Sequence, residues 1–370
     1  MQGLKFIQNY EGKRVEREFS AKAFWSEDDA DETEDATDET KINLGFEMEI
    51  GAWCVIDPQL PKSWRVQDWQ SRPVRFVDGK DVGQTVAWLR GTDGSFVAIR
   101  LAEIGSVVMH IVNGELRREF AQVERVLAMN TAVFPWEEVE SFALALREHD
   151  IFLLPTKRTP EEFQMNFEKI RKFTQRRSAQ EMMTLEEFAL AEHNNIPTIV
   201  DGTLKDHESG FDVAESPVFG VVKTQQRIYA DRQGQEILFN LPEANRTPAF
   251  SFSYDTSRAG DKIKTRLPIV AWYMRLCDGA SVEPNVGIVR VEVSQKWFAN
   301  KGYGETEINT AGKDFINQLT RTIYEYRCRQ KNYRRMKISL EPIVRAEESL
   351  GALFCPPNYL KNKFYRLTEI

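Results

Sequence analysis

The stretch Ile196-Pro197-Thr198-Ile199-Val200-Asp201-Gly202-Thr203-Leu204 decides the reading: an apolar strand runs straight into an acid and a glycine, with polar sequence on both sides. A buried strand that ends in Asp-Gly places a carboxylate at the rim of a sheet. There it can meet solvent, a metal ion or a phosphate, and the glycine admits a close backbone or ligand. Asp-Gly is also an ordinary turn sequence. The figure recurs upstream in Val74-Arg75-Phe76-Val77-Asp78-Gly79-Lys80, and two such strands side by side bring two carboxylates together.

The sequence around these two stretches supplies the rest of the order. Residues 74–78, 85–90, 95–101 and 106–112 read as strands, with Thr92-Asp93-Gly94 as a hairpin turn, which makes an antiparallel meander. Val139, Phe142, Ala143 and Leu146 fall at helical spacing, residues 151–154 suit a short strand, and residues 159–192 read as helix, with Thr159 as cap and Pro160 in the first turn. Residues 217–223 form a strand ending in Lys223. Residues 227–241, 249–254, 269–276 and 286–293 alternate like further strands, and helices are expected over 311–335 and 342–353. A meander whose first strand ends in an acid, followed by helices and a second acid-tipped strand, is the order of a ribonuclease-H-like core. The expected class is mixed α/β: a mostly antiparallel or mixed central sheet flanked by helices, with additional β and helical elements.

Converging acids of this kind serve phosphodiester hydrolysis, in which two divalent ions about 4 Å apart activate water and stabilise the leaving oxygen. Oxygen ligands suit Mg²⁺ or Mn²⁺. A third carboxylate is expected from the helix ahead of the Asp201 strand. Counting helical rise against strand rise favours Glu181, which shares a face with Leu185, Phe188 and Glu192; Glu186 is the alternative, and Glu187 points furthest from the apolar stripe. Lys223, ending a strand soon after Asp201, suits contact with a scissile phosphate or with an acid. Arg327, Arg329, Arg334 and Arg335, interleaved with Tyr324, Tyr326 and Tyr333, read as a nucleic-acid surface, and Arg176 and Arg177 form a second basic cluster.

Composition sets the bounds. At 370 residues and 42% hydrophobic the chain can bury one large or two modest cores. No apolar run approaches the roughly 20 residues of a membrane-spanning helix, and the N-terminus lacks a signal-peptide pattern, so a cytoplasmic location is expected. The net charge of −7 is misleading, because nine acids between Glu27 and Glu39 exceed it and leave the remainder slightly basic. That run, within an acidic loop at 26–41, has the composition of a disordered spacer. The division expected is an N-terminal segment, 1–69, and a catalytic domain with a basic C-terminal part, 70–370. Four scattered cysteines give neither a disulfide framework nor a zinc site, the four histidines lack ligand spacing, and no nucleophile elbow or phosphate-cradling glycine loop is present.

The segments "VRFVDGKD", "IPTIVDGTL", "SPVFGVVK", "AWYMRL" and "GIVRVEV" stand in the order seen in NurA nucleases, and "EPIVRAEESLGALF" resembles the closing segment of their bacterial members. The resemblance covers most of residues 70–355. It implies a ribonuclease-H-like fold, a manganese-dependent DNA exonuclease or endonuclease, a homodimer, and work beside the hexameric HerA translocase in DNA end processing or phage defence. By the same resemblance Asp78 and Asp201 match the two Asp-Gly acids, Lys223 matches the lysine of the G-V-V-K strand, and the helix glutamate falls on Glu181 or Glu186. The lysine after Gly79 and the acidic insertion depart from the family pattern. Two rival readings remain: a catalytically inactive scaffold that binds DNA or an ATPase, and an interaction protein in which the Asp-Gly pairs are only turns.

Overall fold

A computed structural model describes residues 3–15, 42–47, 53–156, 166–204, 211–223, 228–256, 265–278 and 284–370. The acidic loop, the Thr159–Pro160 cap and His207 fall outside them.

In chain order the strands are β1 (Lys13–Arg14), β2 (Arg75–Arg90), β3 (Phe96–Val112), β4 (Glu115–Asn130), β5 (Phe152–Thr156), β6 (Thr198–Asp201), β7 (Val218–Val222), β8 (Phe250–Thr256), β9 (Thr265–Arg275) and β10 (Ile288–Ser294). The helices among the described residues are α1 (Phe6–Asn9), α2 (Trp136–Arg147), α3 (Phe167–Ala191), α4 (Arg232–Phe239), α5 (Gln295–Asn300), α6 (Thr310–Glu325), α7 (Glu341–Gly351) and α8 (Pro357–Thr368). One sheet carries every strand among the described residues, in the order β5-β4-β3-β2-β6-β7-β10-β9-β8, with β1 against β2. The pairs β2–β3 and β3–β4 are antiparallel, whereas β2–β6 and β6–β7 are parallel. The central five strands, β4-β3-β2-β6-β7, therefore have the ribonuclease-H arrangement: three antiparallel strands, then two returning strands laid parallel to the first. Beyond them β10, β9 and β8 extend the sheet as an antiparallel meander.

The meander is longer and simpler than its sequence suggests. Two expected pairs of strands fuse into the 16-residue β2 and the 17-residue β3, and β4 follows through an Asn113-Gly114 turn with both residues at positive φ. That geometry is the hairpin turn whose twist matches the strands. Residues 227–241, expected as a strand, hold helix α4 instead, capped by Asp231 accepting from the Gly234 amide. The helix expected over 311–335 stops at Glu325, and residues 326–340 form a loop with one short turn at Met336–Ile338.

Helices cover both faces of the sheet. On one face Phe76, Ile199, Phe219 and Val221 pack against Phe315 and Leu319 of α6 and Ile343 and Leu350 of α7. On the other, Val77, Val108 and Val218 pack with Ala189 and Leu190 of α3. Strand alternation thus assigns each site residue a side: Asp78 and Asp201 share the face of Phe76 and Ile199, and Gly79 shares that of Val77. Among the described residues no helix is long and apolar enough to cross a membrane.

Candidate active site

Strand β2 is paired with β3 along its length, but β6 accompanies it only from Arg75–Thr198 to Val77–Val200. The next residue on each strand is an acid, so Asp78 and Asp201 stand level where the two strands part. Gly202 follows at φ +128°, which only glycine adopts without strain. Asp78 is 5% exposed and its Oδ2 has no hydrogen-bond partner. Burial pushes its carboxyl well above the usual carboxylate range; Asp201, Glu347 and Glu186 push the same way, and the Lys223 ammonium opposes them.

Lys223, one residue past the end of β7, donates from Nζ to Asp201 Oδ2 at 2.6 Å and lies 3.9 Å from Glu347 Oε1, with its own side chain 5% exposed. Glu347 comes from α7 on the same face as Asp78. Tyr333 in the 326–340 loop donates its hydroxyl to Glu347 Oε2 at 2.5 Å, and the Arg335 guanidinium lies 3.8 Å from Oε1. Burial, then the Glu347 carboxylate, push the Tyr333 hydroxyl pKa up, so it stays protonated and donating.

Glu186 enters from the opposite face. A Cβ placed on Gly79 would fall 2.6 Å from Glu186 Oε1, so the absence of a side chain on Gly79 is what lets this carboxylate reach the sheet. The helix is fixed along β2 by polar anchors. Ser178 donates to Asp81 Oδ2 at 2.6 Å, Arg100 binds the other oxygen of Asp81 at 2.9 Å, and Arg75 donates to the Ala189 carbonyl at 3.1 Å. Since Ser178 meets Asp81 and Ala189 meets Arg75, α3 runs antiparallel to β2 with Glu186 level with Gly79.

The structure places the expected residues unequally. It brings together Asp78, Asp201, Lys223 and Glu186, but Glu181 pairs with Arg177 at 2.8 Å on its own helix and is not among the charges acting on Asp78. The count that favoured Glu181 assumed too long a strand. The four residues of β6 span about 10 Å, and Glu181 lies about 15 Å back from the end of α3, Glu186 only about 7 Å. The face assumed for Glu181 is only partly packed: Leu185 is buried, whereas Phe188 is 59% exposed. Glu187, expected to point furthest outward, is buried. Arg327 lies over the Tyr324 ring at 3.7 Å and is 3.9 Å from Glu243, and Arg329 faces Glu325 at 3.4 Å. Arg334 is exposed on the same loop and Arg176 is exposed on α3; of the basic residues named, Arg335 adjoins the acids. Glu347 was not singled out from the sequence, although "EPIVRAEESLGALF" contains it; its signal is the register Ile343–Glu347–Leu350, one helical face turned to the sheet.

All the donors around Asp78 are oxygens, the chemistry that suits Mg²⁺ or Mn²⁺, and the orphaned buried Oδ2 is an unused ligand atom. Among the described residues no group of three or more His, Cys, Asp or Glu side chains is arranged so that it could hold a metal ion. The Lys223 ammonium and the Arg335 guanidinium are the cations beside these acids.

No family model matches the chain, and no curated protein matches it significantly by sequence. A search of solved structures finds the NurA nuclease from Sulfolobus solfataricus, 10% identical, covering 81% of this chain and 84% of that one at a TM-score of 0.38.

Proposed function

We propose that the protein is a divalent-metal-dependent deoxyribonuclease whose site comprises Asp78, Glu186, Asp201, Glu347 and Lys223. The observation that supports this most is the unpartnered, buried Asp78 Oδ2 among three further carboxylates at the point where two parallel strands separate. Buried carboxylates in ordinary structural roles are paired, and an unpaired one with shifted proton affinity marks a working site.

In this reading Asp78, Asp201, Glu186 and Glu347 would hold Mn²⁺ or Mg²⁺, which would supply Lewis-acid activation of water and of the phosphate. Lys223 orients Asp201 and offsets the mutual repulsion of the acids. Without the ion, burial and the neighbouring carboxylates raise the proton affinity of Asp78, and the ion would take the place of that proton. Tyr333 and Arg335 fix Glu347, and Arg335, Arg334, Arg329 and Arg176 supply the phosphate contacts. The sequence resemblance supports the further reading that a HerA-type hexameric translocase and a second copy of the chain are partners.

The test is cleavage of linear and circular DNA with Mn²⁺, Mg²⁺ or EDTA by the wild type and by Asp201→Ala, Glu186→Ala, Glu181→Ala and Glu347→Ala. Metal-dependent cleavage lost in every variant except Glu181→Ala supports the assignment. Cleavage untouched by Asp201→Ala sinks the site, and no cleavage by any form, with a translocase added, leaves the inactive-scaffold reading.

A further inference from the structure

The Asp201 carboxylate sits on the last residue of a four-residue strand, directly before a glycine in a left-handed conformation, and such a position does not hold itself. Lys223 and the Gly202 amide, which donates to the Val221 carbonyl at 3.1 Å, hold it from the β7 side, and a further support lies two strands away. β6, β7 and β10 are in register through Val200–Gly220–Glu292, so Glu292 is on the sheet face opposite the Asp201 side chain. Gly220 leaves a gap there, and a Cβ on it would lie 2.7 Å from the Gly202 carbonyl oxygen. The chain after Asp201 folds back into that gap, and the Leu204 amide donates to Glu292 Oε2 at 2.9 Å.

Glu292 is fully buried and its other oxygen accepts from Arg290 Nε at 2.8 Å. The Arg290 guanidinium lies 5.1 Å from the Tyr229 ring centroid and 5.8 Å from that of Phe252. A buried ion pair is a poor device for stability, because desolvation offsets the attraction; hydrophobic replacements of the same volume fold as well or better. A pair retained in the core while one of its oxygens pins a loop amide beside the site has a positioning use.

We propose that the Glu292–Arg290 pair is a second positioning element for Asp201, beside Lys223: it clamps the Gly202–Leu204 turn over Gly220 and thereby helps to set where the Asp201 carboxylate stands relative to Asp78. This inference rests on the nuclease reading for its consequence but not for its geometry.

The experiment uses the full chain with two variants. Arg290→Met/Glu292→Met removes both charges together, which avoids leaving either one buried alone, and Gly220→Ala pushes directly on the turn. Amide hydrogen exchange of the Gly202–Leu204 peptide and calorimetric titration with Mn²⁺ are read beside thermal melting. The expected result is a melting temperature within a few degrees of wild type for the double variant, exchange of the Leu204 amide faster by at least tenfold, and Mn²⁺ affinity weaker by about tenfold or more in both variants. Unchanged exchange and unchanged Mn²⁺ affinity in the folded variants overturn the proposal. If the wild type itself binds no Mn²⁺, the metal-site reading fails while the exchange arm still decides the clamp; should the double variant not fold, Gly220→Ala decides through the same two readouts.

Discussion

Two aspartates three residues apart on one strand have opposite surroundings. Asp81 is saturated: Arg100 takes one oxygen and Ser178 the other, and the three groups lock α3 to β2. Asp78 has an oxygen with no partner, three other carboxylates acting on it, and a proton affinity raised well above normal. Both are largely buried, so burial alone distinguishes nothing. The difference lies in what each carboxylate is offered, and it separates a carboxylate that supports the fold from one held ready for a ligand.

The largest effect that tests this contrast is on stability at Asp81. Asp81→Ala leaves Arg100 buried without its anion and is expected to cost about 3 kcal/mol, visible as a lowered midpoint in urea unfolding. A cost below 1 kcal/mol removes the structural half of the contrast.

Asp78→Asn goes the other way. A folded-state pKa above the unfolded value means that the penalty for ionising Asp78 is absent in acid, grows as pH rises through the ordinary carboxylate range, and is complete above the raised value. The asparagine variant in EDTA should therefore melt higher than wild type, by roughly 1–2 °C per kcal/mol recovered, with an advantage that widens as pH rises from about 4. Its cleavage should be lost. A variant that melts lower at pH 8 than wild type contradicts an uncompensated Asp78.

Gly79→Ala is a geometric probe of the same pair of faces. Its methyl group displaces the Glu186 carboxylate, and an error of about 1 Å in a catalytic group costs about 10²-fold in rate. Stability should move by no more than about 1 kcal/mol, since the displaced atoms end a flexible side chain. Normal cleavage by this variant argues that Glu186 takes no part. The smallest effect belongs to Tyr333→Phe, which removes one hydrogen bond to Glu347: a loss of about 1 kcal/mol or a several-fold drop in cleavage, read by the same assays.

How legible was this in the sequence? Apolar runs ending in Asp-Gly identify β2 and β6, because a buried strand and the break after it both leave compositional marks. Analogy with the order of a ribonuclease-H-like core is what makes the two strands neighbours in the sequence reading, and β2 and β6 do pair. The choice between Glu181 and Glu186 was not legible, since it depends on where β6 begins and on the Ser178–Asp81 anchor, and the five-residue separation of the two glutamates turns them to different faces. Glu347 was hidden for a related reason: an acid on an amphipathic helix looks solvated until the helix is docked. Residues 227–241 misled because their alternation of polar and apolar positions suits either period over so short a span, and the Asp231 cap decides for helix. The extent of β2 and β3 was missed because Gly79, Gly83 and Gly105 look like breaks; Gly79 and Gly83 instead make room for Glu186 and Ala102, and Gly105 for Leu350 and Phe354.

The spacing of the four acids along the chain has a consequence for biogenesis. Asp78, Glu186, Asp201 and Glu347 come from a central strand, a connecting helix, a returning strand and a helix close to the end of the sequence. Closing such long loops is entropically expensive until the non-local contacts that reward it can form, so the site is among the last things to assemble. A ribosome-bound chain that has not yet delivered α7 lacks its fourth carboxylate and the Tyr333–Arg335 support for it. The fold thus completes the acid cluster only once α7 has docked on the sheet.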